Sequence, residues 1–303
     1  MIDYAGRELF SSVQRIWRTC FGDNSDYTGF LFDRLLGPED VLAYFPEPEK
    51  PAAMLCLQPF TLATPHGNAD AAYIFGVATL PEWRGKGLST ALLEEAGRRL
   101  AAKGTALSAL VPAGEKMFDF YAKRGYETAF SVKKAVYRAE QVSAREKTCS
   151  LTPTPFSRLA EMRDAFFAGR TLFVRWGTHY LDYIDAETRA LGGDVLSISC
   201  ENHEGYVVCY PYRQSLIVKE WAVPEEMFAA TFAALHARYR REEYRFHLPA
   251  DSTVSQAGQP IPFAMTRWYD RARQAALLDD TGGAAYMAHV LDGPTLGVPL
   301  RQI

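Results

Sequence analysis

Tyr73-Ile74-Phe75-Gly76-Val77-Ala78-Thr79-Leu80-Pro81-Glu82-Trp83-Arg84-Gly85-Lys86-Gly87-Leu88-Ser89-Thr90-Ala91-Leu92-Leu93 is the stretch from which the rest of the chain can be read. It opens as an apolar strand, turns sharply at Pro81, and passes through a loop carrying two glycines and two cations. It then enters a helix with Leu88, Leu92, Ala96 and Leu100 on one face. The first N–H groups of a helix lack an intrahelical partner and lie at the positive end of its dipole. Glycines let the backbone approach an anion closely, and Arg84 and Lys86 add charge. The segment therefore predicts a phosphate or pyrophosphate ligand. It contains neither Gly-x-x-x-x-Gly-Lys-Ser/Thr nor Gly-x-Gly-x-x-Gly, so it is not one of the common nucleotide fingerprints.

Upstream, Leu9, Val13, Ile16, Trp17 and Cys20 share a helical face over residues 7–21, and Phe30, Leu31, Leu35 and Leu36 suggest a second helix ending at Gly37-Pro38. Val41 to Phe45, Ala52 to Leu62 and Ala71 to Leu80 read as an antiparallel meander separated by turn residues. Downstream, a helix over 87–102 leads to a strand at Leu107 to Val111 and a short helix at Glu115 to Lys123. One or two strands are expected over Tyr126 to Tyr137. The polar run Arg138 to Glu146 and the stiff Thr152-Pro153-Thr154-Pro155 place a domain boundary near 145–155. The second half runs through a helix at Arg158 to Phe167, an aromatic-rich stretch, and strands at Val195 to Ser199, Tyr206 to Pro211 and Ser215 to Val223. It continues with a helix from Glu225, an order that echoes the first half. A short helical pattern around Ala284 to Leu291 and a Gly/Pro tail to Ile303 close the chain.

The 303 residues are 48% hydrophobic and 23% charged, with 33 basic against 36 acidic side chains and a net charge of −3. This is globular composition, with no basic stripe for nucleic acid, and the length suits two domains. Cys20, Cys56, Cys149, Cys200 and Cys209 are scattered, odd in number and never in a Cys-x-x-Cys pair, as expected of buried reduced thiols. The six histidines share no metal-ligand spacing, so no metal is expected. The first residues do not read as a secretory signal, and no apolar run approaches the ~18 residues of a membrane helix. A cytoplasmic protein with no membrane anchor and no nucleic-acid partner is the expectation, and the oligomeric state stays open, a homo-oligomer included.

Arg84, Gly87 and the strand Val77-Ala78-Thr79-Leu80-Pro81 resemble the acyl-coenzyme A loop of the GNAT superfamily of N-acetyltransferases, Arg/Gln-x-x-Gly-x-Gly/Ala after a Val-Ala-Val-like strand end. Ser89 stands where Gly or Ala is usual. Phe118-Asp119-Phe120-Tyr121-Ala122-Lys123-Arg124-Gly125-Tyr126 is similar to the superfamily's Tyr-x-x-x-Gly-Phe element. The resemblance covers about residues 1–140. It implies that main-chain groups of Val77, Ala78 and Thr79 pair with the pantetheine arm of acetyl-coenzyme A. Arg84, Gly85, Lys86, Gly87, Leu88, Ser89 and Thr90 would hold its pyrophosphate, and Tyr121 would protonate the leaving thiolate as general acid. The Asn-containing signature of the preceding strand is absent, Leu110-Val111-Pro112-Ala113-Gly114 standing there instead.

Glu220-Trp221-Ala222-Val223-Pro224-Glu225 repeats the strand end Val77 to Glu82, but its helix starts without the Arg-Gly-x-Gly insertion. The expected fold is therefore α+β, two tandem GNAT-like domains with mixed central sheets flanked by helices and the second copy degenerate. The catalytic domain would be 1–145, the degenerate one 150–270, and the tail 271–303. Such a tandem resembles the enhanced intracellular survival acetyltransferases, although the tail is too short for their sterol-carrier-like domain. In that family the terminal carboxylate acts as base, which implies Ile303 here. Asp70, Glu115 and Glu220 are the other acids considered.

The activity so implied is acetyl-coenzyme A-dependent acetylation of a primary amine, on a small molecule or a lysine, by direct attack in a ternary complex. The alternative is a non-catalytic acyl-coenzyme A sensor or interaction module with the same fold. An aminoacyl- or peptidyl-transferase is a third reading, disfavoured by the near-neutral charge. Phe173, Trp176, Tyr180 and Tyr183, with Arg175 and His179 between them, read first as core aromatics and second as a cleft lining, with Asp182 and Asp185 positioned to attract an amine.

Overall fold

The computed structural model describes residues 1–142, 149–168, 170, 172–200, 202–254 and 257–278. Ile303, the pattern at Ala284 to Leu291 and all but the first residues of the expected 271–303 tail lie outside them.

The chain begins with β1 (Ile2–Tyr4), α1 (Phe10–Phe21) and α2 (Ser25–Arg34). Phe10, Val13, Ile16 and Trp17 bury one stripe of α1, which stops at left-handed Gly22, whose N–H caps Arg18 O at 3.0 Å. Asn24 caps α2 by accepting from Tyr27 N at 2.8 Å. A meander of β2 (Val41–Tyr44), β3 (Ala53–Thr64) and β4 (Gly67–Thr79) follows. It feeds α3 (Leu88–Ala102), β5 (Leu107–Leu110) and α4 (Glu115–Ala122). The next strand, β6 (Glu127–Arg138), runs unbroken where one or two strands were expected.

The second half holds β7 (Ser150–Pro153), α5 (Phe156–Phe167), β8 (Phe173–Trp176), α6 (Thr178–Ala190), β9 (Asp194–Cys200), β10 (His203–Tyr212) and β11 (Ser215–Ala222). After these come α7 (Phe228–Tyr239), β12 (Glu243–Pro249), β13 (Ile261–Trp268) and α8 (Arg271–Leu277).

The described chain forms two compact units, residues 1–129 with the return segment from Ala264, and Phe130–Phe263. The first unit's sheet runs β1-β2-β3-β4-β5-β13, with only β4 and β5 parallel. The second unit's runs β7-β9-β10-β11-β12-β6, with only β11 and β12 parallel. The two orders correspond strand for strand, so the tandem architecture expected from sequence is present: an α+β fold of two mixed sheets with helices on them.

The division differs from the expected boundary near 145–155 and from the expected second domain of 150–270. Each sheet takes its sixth strand from the other half of the chain. β6 pairs Val132–Arg138 with Pro249–Glu243, and β13 pairs Met265–Trp268 with Leu110–Leu107. Such pairing joins residues far apart in sequence, so no local turn or linker signal marks it.

In the first unit, Leu92, Leu93, Ala96 and Leu100 of α3 pack with Leu55, Ile74, Leu110, Tyr121 and Tyr126. In the second, Trp221, Phe228, Phe232, Phe246 and Tyr137 form an aromatic core, Tyr137 lying edge-on to Phe246 at 5.7 Å.

Candidate active site

β4 is bonded to β3 along its whole length, to Thr79 opposite Ala53, but to β5 only from Ala71 to Tyr73. From Ile74 onward its other edge pairs with no strand among the described residues. Between Cys56↔Phe75 and Met54↔Ala78 the register slips, so β4 holds one extra residue there, a bulge. Gly76 sits in it with φ +60°, and a Cβ on Gly76 would lie 2.4 Å from the Trp17 ring. Trp17 is fully buried and tied by Nε1 to Asp23 Oδ2 at 2.9 Å. The bulge bends β4 from β5 and leaves Val77, Ala78 and Thr79 on an open edge whose N–H and C=O groups can receive an extended ligand as an added strand.

A 3₁₀ turn, Pro81–Trp83, leads from this edge to the loop. Gly85 and Gly87 both adopt left-handed backbone, φ +75° and +76°, and nothing stands within 4 Å of where their Cβ atoms would be. Gly87 is the N-cap of α3 and supplies no side-chain cap, so among the described residues no side chain caps the first N–H groups of α3. Arg84 donates from Nε to Thr79 O at 3.1 Å, and Thr79 Oγ1 and Ser89 Oγ lie 3.0 Å apart, which ties the strand end to the helix start. Lys86 lies over the Trp83 ring at 4.2 Å. Among the described residues neither Arg84 nor Lys86 pairs with a carboxylate. Arg124, to which the sequence alone assigns no role, donates to Thr90 Oγ1 from Nε at 2.9 Å and Nη2 at 2.6 Å.

Tyr121 is the buried residue of α4, 6% exposed, in the same apolar cluster as Ile74, Leu88 and Leu110. Burial pushes its phenol up to about 12, with the nearby Arg124 charge opposing. It therefore stays protonated across the physiological range and can act as a donor. The tight turn after α4 needs Gly125, φ +79°.

The other acids considered are placed differently. Asp70 lies nine positions before Thr79 on β4, about 30 Å away at ~3.3 Å per residue. Glu115 opens α4 on the surface. Glu220 is buried in the second unit, held by Arg163 Nε at 2.9 Å and by the Tyr206 hydroxyl. Phe173, Trp176, Tyr180 and Tyr183 are all buried. Trp176 stacks on Tyr180 at 3.7 Å, and Tyr183 donates to Glu187 at 2.7 Å. Arg175 and Asp185 pair with Asp164 and Arg189.

At the matching place in the second unit, where β11 ends, Glu225 follows Pro224 in a 3₁₀ turn that runs directly into α7. Its carboxylate accepts from the N–H and hydroxyl of Thr253, beyond β12. A cavity of about 260 Å³ beside it is lined by Phe166, Arg170, Trp221, Pro249, Asp251 and Glu225 among others. Among the described residues no group of three or more His, Cys, Asp or Glu could hold a metal, and no helix is long and apolar enough to cross a membrane.

Residues 2–129 match the family model of the acetyltransferase (GNAT) domain. No curated protein matches the chain. Among solved structures, a GCN5-related N-acetyltransferase from Anabaena variabilis is similar at TM-score 0.74 and 15% identity, over 92% of this chain and 75% of that one. Eis1 from Mycobacterium abscessus is similar at 0.68 and 14%, over 91% and 76%. N-myristoyltransferase from Saccharomyces cerevisiae, solved with myristoyl-CoA, is similar at 0.56 and 9%, over 88% and 81%. At these identities the likeness is one of fold.

Proposed function

We propose, from the premise that residues 2–129 form a GNAT acetyltransferase domain, that this protein transfers an acetyl group from acetyl-coenzyme A to a primary amine. The observation that carries the reading is the conjunction of a free strand edge with a glycine loop at a helix start: among the described residues β4 is not paired with β5 beyond Tyr73, and α3 begins behind two left-handed glycines beside cations that bind no carboxylate. The edge suits the two amides of a pantetheine arm, and the cradle suits a pyrophosphate. The thioester supplies an activated acyl carbon and a thiolate leaving group.

The chain's own task is to bind, orient and manage protons. Val77, Ala78 and Thr79 offer main-chain groups to the arm, while Arg84, Gly85, Lys86, Gly87, Leu88, Ser89 and Thr90 surround the pyrophosphate. Arg84 reaches back to Thr79 O and so fixes the loop against the strand it must serve. Tyr121, protonated and set in apolar surroundings, donates its phenolic proton to the departing sulfur, and the amine's proton returns to solvent or to a base. Direct attack by the amine fits a site whose two motifs contain no cysteine.

A thiol-release assay across a panel of amines tests this. Tyr121→Phe should lower kcat by ~10²-fold, the usual scale for a general acid, while leaving the Kd for acetyl-coenzyme A unchanged. Cofactor binding without turnover on any amine would favour an acyl-coenzyme A sensor, and loss of binding in Tyr121→Phe would make Tyr121 a packing residue.

A further inference from the structure

We infer that Arg124 is a positioning residue of the anion cradle, holding the Thr90 hydroxyl with its proton directed to the pyrophosphate and adding a third cation there. This rests on the acyl-coenzyme A reading above. Thr90 is the third residue of α3, within the turn whose N–H groups lack helical partners. Its Oγ1 accepts two N–H bonds from the one guanidinium, 2.9 and 2.6 Å. A hydroxyl has two lone pairs and one proton, so with both lone pairs engaged its remaining capacity is donation. Thr90 makes no other side-chain hydrogen bond among the described residues, so that donation is available to a ligand.

Arg124 is itself fixed. Its guanidinium lies over the Phe120 ring at 3.5 Å and donates to Phe120 O. Its charge, in contrast, is unanswered. Further along α3, Arg98 and Arg99 both bind Glu95, and Arg267 binds Glu94 through two 3.0 Å bonds. At the N-terminus, Arg84, Lys86 and Arg124 have no carboxylate partner among the described residues. Cations gathered at the positive end of a helix repel its dipole, an arrangement that becomes favourable when a polyanion binds between them. Arg124 also follows Tyr121 by one helical turn and is the charge that opposes burial at its phenol, so the one side chain serves both motifs.

Calorimetric titration of the full chain with coenzyme A, dephospho-coenzyme A and pantetheine tests the assignment. Arg124→Ala should weaken coenzyme A and dephospho-coenzyme A about tenfold each and leave millimolar pantetheine binding unchanged. Thr90→Val, which keeps the cation, should weaken both by a smaller factor, the double variant should be no worse than Arg124→Ala alone, and Arg124→Lys should recover only part of the loss. Equal weakening of all three ligands would mean Arg124 only supports the fold. A loss that disappears with dephospho-coenzyme A would mean it contacts the 3′-phosphate, and additive losses would mean Thr90 and Arg124 act separately; each outcome overturns the inference. Failure of the unsubstituted protein to bind coenzyme A would remove the acyltransferase reading too, whereas normal binding with an unaffected Arg124→Ala would remove this inference alone.

Discussion

Val77 to Glu82 and Glu220 to Glu225 are the same strand end built twice, and they part company at the next residues. Both strands bulge before the end, β4 around Gly76 and β11 at Lys219, and both leave through a proline-led 3₁₀ turn. Both then pass through a helix to a strand that returns parallel. In the first unit Arg84-Gly85-Lys86-Gly87 intervene, and α3 begins without a side-chain cap. In the second α7 begins at once, and Glu225 gives its own carboxylate to Thr253. The fold supplies a place where a helix start meets a splayed pair of strands, and on the proposed reading the four residues Arg84 to Gly87 make that place a cradle for an external anion.

Deleting Arg84 to Gly87 makes the first unit imitate the second. It should cost at least ~10³-fold in acetyl-coenzyme A affinity, about 4 kcal/mol at 1.4 kcal/mol per tenfold, with a retained melting transition. Calorimetry that still found tight binding would sever the loop from the function.

The bulges are the next point of contrast, since Gly76 is left-handed against Trp17 whereas Lys219 is buried beside Glu187 at 3.5 Å. Gly76→Ala meets both an unfavourable φ, ~1–2 kcal/mol, and overpacking, ~1–3 kcal/mol. A loss of about 3 kcal/mol in chemical denaturation is expected, and a change below 0.5 kcal/mol, on the order of a neutral surface substitution, would show that the ring moves aside.

The smallest effect concerns Glu225. Burial pushes its carboxyl up, but the bonds from Thr253 outweigh burial and hold it below the ordinary 4.5. With the folded value below the unfolded one, its contribution is complete above pH ~4.5 and fades as pH falls through the folded value. Glu225 is exposed, so Glu225→Gln should cost under about 1 kcal/mol at pH 7, and the gap between variant and parent should close toward pH 3. A gap independent of pH would mean the carboxylate charge plays no part.

Much of the first unit was legible because its signals are local. The periodicity of Leu88, Leu92, Ala96 and Leu100 predicts α3 within a residue, and the three meander strands are present, the third beginning at Gly67 inside the expected turn rather than at Ala71. β12 and β13 went unread, and so did α6, whose Tyr180, Leu181 and Tyr183 bury one face of a helix that the sequence showed only as an aromatic-rich stretch. The loop's left-handed glycines and its cations, which the proposed cradle rests on, were legible from glycine and charge. Arg124 was not, because its importance comes from reaching Thr90, 34 positions away.

The sequence by itself determined most elements of the first unit and their order, the repeated strand end, and the residue types of the loop, since helix period, turn residues and a glycine-cation cluster act over a few neighbouring residues. Only the tertiary structure decided that β6 and β13 complete each other's sheets, that Trp17 turns the bulge at Gly76, and that Arg124 stands over the start of α3. Those contacts join distant parts of the chain, and their free energy comes from packing and hydrogen bonds that exist only once the chain has closed on itself.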